Sequence, residues 1–244
     1  MTEAFAAFLD SVSTVYGAMP FILYGALITI GTVLLAMLLG FVLGLPMAVG
    51  QVYGRPALRR LIGIYVWFFR GVPILVLLYL FYFGLTYQLN QIEFSLFGKL
   101  VKINLNISAF TASCIVLGLT SAAYQSQIFR GAINSIPSGQ LKAARALGMP
   151  DGTAIVRIVL PQALRLAIPG WSNEYSILLK DSALVSVLGT MDLMARAKAM
   201  ATGTEEYPAF YITAALLYFL ITALGVRALR KAEQFARIPG YTQH

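Results

Sequence analysis

FILYGALITIGTVLLAMLLGFVLGLPMAVG, residues 21–50, contains no charged side chain, and the uncharged stretch around it reaches from Asp10 to Arg55. A helix needs about 20 mainly apolar residues to cross bilayer hydrocarbon, so this segment predicts a membrane span. Gly40 and Gly44 lie one helical turn apart within it. Two small residues at that spacing allow a neighbouring helix to approach closely, which predicts a packing role for the pair.

Composition extends this reading to the whole chain. Of the 244 residues 59% are hydrophobic and 11% are charged, whereas soluble domains carry roughly a quarter charged residues. The first ten residues hold Glu3 and Asp10 and no Lys or Arg, so a cleavable signal peptide is not expected there. Cys114 is the single cysteine, which rules out an internal disulfide framework and leaves a small packing residue. The net charge of +8 does not read as nucleic-acid binding, because the basic residues cluster between apolar runs.

Four further runs read as spans. Leu61 to Leu89 is aromatic and branched, interrupted by Arg70 and the kink signal Gly71-Val72-Pro73. A polar loop from about Gln88 to Asn106 precedes the uncharged run Ile103 to Phe129. Another begins near Leu166 and includes Glu174, Lys180 and Asp181, and the last runs from about Tyr207 to Val226 after the acidic tip Thr204-Glu205-Glu206. Five spans put alternate loops on opposite sides, so the positive-inside rule tests the count. One side collects three arginines (Arg55, Arg59, Arg60), five basic residues between Arg130 and Arg165, and the four of the tail (Arg227, Arg230, Lys231, Arg237), twelve in all, while the other side has Lys99 and Lys102; the remaining four, Arg70, Lys180, Arg196 and Lys198, lie within or close to spans and stand outside the tally. The expected fold is an all-α polytopic membrane protein with five transmembrane helices, its N-terminus outside and its C-terminus in the cytoplasm. It is a single domain over residues 1–244 with a structured cytoplasmic loop over about 131–165.

That loop carries Arg130, Lys142, Arg145, Arg157 and Arg165, and Pro137, Pro150 and Pro161 divide it into two short helical pieces. The first opens after Pro137 with Ser138 as the expected N-cap and stops at Gly148, with Leu141, Ala144 and Leu147 on one stripe. The second follows Pro150 and Asp151 and is expected to break at Leu160-Pro161. On periodicity alone this is an interfacial helical hairpin under the bundle.

The string Gly139-Gln-Leu-Lys-Ala-Ala-Arg-Ala-Leu-Gly148, followed by Ile158-Val-Leu-Pro-Gln-Ala-Leu-Arg165, resembles the EAA loop of binding-protein-dependent ABC importer permeases. Phe69-Arg-Gly-Val-Pro73, Ala122-Ala-Tyr124 with Arg130-Gly-Ala132, Pro137, and the run Pro169 to Ser186 resemble the polar amino acid branch, over about residues 20 to 235. The resemblance implies a type I importer permease fold in a bacterial inner membrane. It also implies that Gly139, Lys142, Ala143, Ala144, Gly148, Leu160 and Pro161 lie on the coupling helices that receive the stroke of an ATPase. The implied partners are an ATP-binding ATPase dimer, a second permease subunit, identical or homologous, and a periplasmic or lipid-anchored solute-binding protein. ATP and Mg would be bound by the ATPase and no cofactor by this chain; the branch carries histidine, arginine, glutamine, glutamate and opines. Two departures stand out. The usual glutamate of the loop is Lys142, which weakly favours a mixed pair of permeases, and Gln127 stands where many relatives carry glutamate.

Charges inside a membrane cost about 2.5 to 3.5 kcal/mol each on insertion scales, so Glu174, Lys180 and Asp181 call for a reason. Glu174 and Asp181, nearly two turns apart, share a helix face, and Lys180 lies about 240° round from Glu174. A carboxylate pair with a neighbouring ammonium suits a zwitterionic amino acid. With the resemblance at Asn173-Glu174 and Leu179-Lys-Asp-Ser182, this makes Asn173, Glu174, Lys180, Asp181 and Ser182 the candidate substrate-binding residues, Glu174 favouring a basic substrate. The alternative for the Lys180–Asp181 neighbours is a structural pair.

An enzyme is not expected. The sole histidine is His244, and neither a zinc-protease motif, a Cys-x-x-Cys, a Gly-x-Ser-x-Gly elbow nor a phosphate-binding Gly-x4-Gly-Lys-Ser/Thr loop occurs. The competing class is a channel or a carrier driven by an ion gradient, with Glu174, Asp181 and Asp192 binding protons or cations. It would leave the cytoplasmic helix pair unexplained.

Overall fold

The structure is a computed structural model and describes residues 2–85, 93–96, 99–102 and 107–236. The end of the second expected span beyond Leu85, the start of the third at Ile103, Arg237 and His244 lie outside the described residues.

The chain begins with α1 (Thr2–Tyr53), a helix of 52 residues. Then come α2 (Pro56–Gly71) and α3 (Ile74–Tyr79), parted at Val72-Pro73, and a π-helical segment Leu80–Leu85 continues α3. Pro73 sits at the N-cap of α3, where the N–H it lacks is not needed. Within the expected polar loop lies a two-stranded antiparallel ribbon, β1 (Glu93–Leu96) and β2 (Lys99–Lys102), in which Glu93 pairs with Lys102 and Leu96 with Lys99. The remaining helices are α4 (Ala109–Asn134), α5 (Ser138–Ala146), α6 (Asp151–Ala154), α7 (Leu160–Asp181), α8 (Leu193–Thr204) and α9 (Tyr207–Ala236). A π-helical turn, Ile155–Val159, joins α6 to α7, and a 3₁₀ segment, Ser182–Leu188, follows α7.

Among the described residues three stretches are long and apolar enough to cross a membrane: Leu9–Tyr53, Asp151–Leu188 and Tyr207–Phe235. Pro56–Gly71 with Ile74–Gly84 makes a fourth if that broken pair is one span. The five expected are reached only by counting α4, whose 26 residues give about 39 Å of length. Its composition is diluted by Ser113, Thr120, Ser121, Gln125 and Ser126, all buried. These side chains face protein, so a low apolar content here does not mean exposure of polar groups to lipid.

The chain divides into two compact units. One comprises Met1–Ala36, Val72–Leu117 and Leu178–Thr222; the other comprises Met37–Gly71, Gly118–Ile177 and Ala223–His244. The core of the first contains Ile22 and Ala26 of α1, Leu193 and Ala201 of α8 and Phe210 of α9. α8 is capped by Asp192, whose carboxylate accepts from the Ala195 N–H at 2.9 Å and from the Tyr218 hydroxyl at 3.2 Å, while the Leu193 N–H donates to Thr29 Oγ1 at 3.1 Å. The core of the second contains Ala48, Phe129, Ile133, Val159, Ala163 and Ala167, from α1, α4, the π-helical turn and α7.

In the second unit the Gly40/Gly44 pair packs as expected. A Cβ on Gly40 would collide with the Gln125 amide and come within 2.9 Å of Ser121 Oγ, and one on Gly44 would meet the Ala122 carbonyl at 3.0 Å. The two glycines thus let α1 lie directly against α4. Gly44→Leu is expected to lower stability by about 1–3 kcal/mol through overpacking. Gly131→Leu, with no atom within 4 Å of its Cβ position, should have little effect. Thermal unfolding of the two variants in lipid nanodiscs checks this.

Candidate functional site

The segment expected to transmit force folds as two short helices held at three points. α5 ends in a hydrogen-bonded glycine cap: Gly148 has φ +78, its N–H donates to the Arg145 carbonyl at 2.9 Å, and the Met149 N–H donates to the Ala144 carbonyl at 3.0 Å. This is the Schellman arrangement, and its left-handed residue is where glycine avoids a Cβ clash. Across the turn Arg145 grips Asp151 with two parallel hydrogen bonds, Nε to Oδ1 at 2.7 Å and Nη2 to Oδ2 at 2.9 Å. Both side chains are more than half exposed, so the pair fixes geometry more than it adds stability. Finally, the amides of Gln140 and Gln162 exchange two hydrogen bonds, at 3.0 and 2.6 Å, tying α5 to α7.

Two local expectations change. Ser138 is the first residue of α5 rather than its N-cap; Pro137 occupies that position and no side chain caps the end. The second helix does not break at Leu160-Pro161. It runs through the π-helical turn directly into α7. Proline is accepted there because the first turn of a helix needs no N–H from it, and the preceding π turn displaces the i to i−4 ladder that the ring would obstruct.

Of the residues singled out in this segment, Gly139, Lys142, Ala143, Gly148 and Pro161 are exposed, Leu160 is half-buried, and Ala144 is buried, its methyl group on the inward face of α5. Leu147, expected to share a stripe with Ala144, instead points outward and is 87% exposed, as is Val156 at 61%. A polar loop that presents a leucine and a valine to solvent offers an apolar contact for a partner.

The second candidate region lies on α7 and the 3₁₀ segment after it. Asn173 and Lys180 are exposed, Asp181 is half-buried, and Ser182 is fully buried with its hydroxyl donating to the Leu179 carbonyl at 2.7 Å. Glu174 is only 3% exposed. Its Oε1 accepts from Ser121 Oγ at 2.7 Å. Ser121 in turn accepts from Gln125 Nε2 at 3.0 Å, which also reaches the Met37 carbonyl at 3.0 Å, and Gln125 Oε1 accepts from the Trp171 indole N–H at 2.7 Å. A hydrogen-bonded chain therefore runs from Trp171 through Gln125 and Ser121 to Glu174, entirely in the second unit. Sequence reasoning missed its middle members. The available signal was Ser121 and Gln125 at i and i+4 in an otherwise uncharged run, one polar edge on a membrane helix.

Residues 36–237 match the family described as binding-protein-dependent transport system inner membrane component. The chain belongs to that family. Among its relatives, the octopine transport system permease protein of Rhizobium meliloti is 39% identical over 198 residues, covering 81% of this chain and 82% of the relative. The arginine ABC transporter permease protein of Haemophilus influenzae is 36% identical over 211 residues, covering 85% and 90%. In a crystal structure of an amino acid ABC transporter with histidines, one chain matches with a TM-score of 0.76 at 33% identity, covering 91% of this chain and 97% of that one. A chain of the MetNI methionine ABC transporter in an inward-facing conformation matches at 0.66 with 21% identity, over 87% and 96%, which is a likeness of fold. The relatives are permease subunits and not enzymes, so the family expected from the loop at 139–165 and the importer permease fold are both observed. In this family member the exposed knob and the buried chain around Glu174 are the two features with chemical content.

Ser121→Ala is expected to destabilise the protein by about 1–3 kcal/mol, because it removes a donor from a buried carboxylate. Denaturation in nanodiscs measures the loss, and a double cycle with Glu174→Gln should return a coupling energy clearly different from zero. An unchanged midpoint in Ser121→Ala would remove the network from the account.

Proposed function

We propose that this chain is the transmembrane permease subunit of an ATP-driven importer of polar or basic amino acids, working in a bacterial inner membrane with a separate ATPase dimer. The single observation that carries the proposal is the stapled knob continuous with α7: α5 and α6 held by the Gly148 cap and the Arg145–Asp151 pair, with Leu147 pointing outward. Such a part is suited to docking on another protein and passing its displacement to a long helix. It has no obvious use in a channel or a gradient-driven carrier.

In this reading five spans, α4 included, place the N-terminus outside and the knob on the cytoplasmic side, following the twelve-to-two distribution of basic residues in the sequence. A second permease chain, identical or homologous, completes the translocation path, and a solute-binding protein delivers the amino acid from outside. The residues Gly139, Lys142, Ala143, Ala144, Gly148, Leu160 and Pro161 belong to the coupling element. Ala144 acts from the buried side, and Leu147 and Val156 join it as contact residues.

Asn173 and Lys180, exposed, and Asp181, half-buried, are the residues we assign to the path; Glu174 and Ser182 support them from the buried side in this conformation. Glu174 then influences the choice of a basic amino acid by fixing α7 and its neighbour Asn173. Support for an amino acid substrate comes from relatives named for octopine and arginine transport and from the neighbour crystallised with histidines.

Co-purification with the ATPase encoded alongside it tests the proposal. The complex should hydrolyse ATP faster when its binding protein is loaded with one of arginine, histidine or glutamine. Leu147→Glu should reduce that stimulated rate by roughly tenfold, the effect of about 1.4 kcal/mol at an apolar contact, without lowering the subunit's own unfolding temperature. Stimulation that survives Leu147→Glu intact would remove the knob from the coupling role.

A further inference from the structure

A crevice of about 250 Å³ opens in the second unit, walled by Phe41 of α1, Phe129 of α4, and Leu164, Ile168 and Trp171 of α7, with Arg165 as the only charged side chain in its lining. The aromatic wall is fixed. Phe41 meets Phe129 edge-on with ring centroids 5.6 Å apart and lies 5.8 Å from the Trp171 ring. The indole N–H of Trp171 is already donated to Gln125, so the crevice is offered carbon and no free donor except the guanidinium.

Arg165 is exposed and has no hydrogen bond, ion pair or ring contact among the described residues. Arg59, Arg130 and Arg145 in the same unit are held, on the Gly54 and Val52 carbonyls, on Gln51 and Gln127, and on Asp151, and of the unit's arginines without such a partner Arg165 is the one that lines this crevice. Ile168 and Trp171 lie about one and two helical turns further along α7 from Arg165. An unpaired guanidinium thus stands at one end of an apolar, aromatic slot in a protein that lives in a membrane.

We propose that this crevice binds an anionic phospholipid, the phosphate on Arg165 and one acyl chain against Phe41, Phe129 and Trp171. Arginine's planar fork matches a phosphate in two hydrogen bonds, and basic pockets between membrane helices are suited to anionic headgroups. A phospholipid carries its charge and its hydrocarbon in the same order as the crevice presents them, which a free amino acid or a soluble phosphate does not. The bound lipid would bridge α1, α4 and α7, the three helices that meet around the Gln125 chain.

The test uses the permease purified with its ATPase and placed in nanodiscs of phosphatidylcholine with a graded fraction of phosphatidylglycerol. Native mass spectrometry should show phosphatidylglycerol retained in preference to phosphatidylcholine, and Arg165→Gln should reduce that preference by about fivefold, with Arg165→Lys intermediate. Phosphatidylglycerol brominated on its acyl chains should quench the fluorescence of Trp171, the component removed by Trp171→Phe, and Arg165→Gln should abolish the quenching. Equal retention of the two lipids by the unmodified protein, or unchanged retention in Arg165→Gln, would overturn the proposal. So would efficient cross-linking of Ile168→Cys to a second permease chain together with no quenching, since the crevice would then be an interface between subunits. If Arg165→Gln fails to fold, the quenching and lipid preference of the unmodified protein and Arg165→Lys still decide the matter.

Discussion

Hydrocarbon supplies no hydrogen bonds, so every polar group that a membrane helix carries inward must be answered by another protein group, at a cost of several kcal/mol if it is not. The chain Trp171–Gln125–Ser121–Glu174 is this constraint in its most concentrated form. It joins a carboxylate, a hydroxyl, an amide and an indole, each within hydrogen-bond distance of the next. Much of the second unit follows from it. Gly40 has no side chain because the Gln125 amide occupies that space on its way to the Met37 carbonyl. Trp171 is held in orientation by its N–H, and its ring then packs against Phe41, which packs against Phe129. The polar chain therefore sets the positions of α1, α4 and α7 to a degree that interchangeable apolar contacts would not.

A second feature is continuity. α6, the π-helical turn and α7 form one continuous helical path from the knob to Asp181, with no loop between the knob and α7. Buried Ala144, Ala154 and Val159 seat the knob, and the Gln140–Gln162 pair ties its first helix to the start of α7. The Gly148 cap closes α5 over one residue, which keeps the turn short and the Arg145–Asp151 pair in register.

The membrane class was legible from residues 21–50, since an uncharged run of that length exceeds the roughly 20 apolar residues a span needs, and the glycine cap at 148 was legible from its position after an amphipathic stripe. The continuity through Pro161 was not, because a proline reads as a break and the π turn that accommodates it leaves no mark in composition. Nor was the pairing of 93–96 with 99–102, whose Glu-Phe-Ser-Leu and Lys-Leu-Val-Lys segments are too short to separate from loop. Glu174 was found by its charge, but periodicity placed it on one face with Asp181. Its burial follows from Ser121, 53 residues away, a partner visible only once α4 and α7 are packed. Leu147 shows the converse: a residue assigned inward by its stripe is turned outward because the helix ends there and the chain bends into the Gly148 turn.

The central claim is that ATP hydrolysis by a partner chain, delivered through the knob at 138–161, drives amino acid movement across the membrane. The most direct measurement is uptake of labelled arginine, histidine and glutamine into proteoliposomes containing the permease with its ATPase and binding protein, with ATP enclosed on the ATPase side. The account predicts accumulation of at least one of the three that requires ATP and binding protein and persists when proton and sodium gradients are collapsed. Accumulation that proceeds without ATP and vanishes with an ion gradient would contradict it.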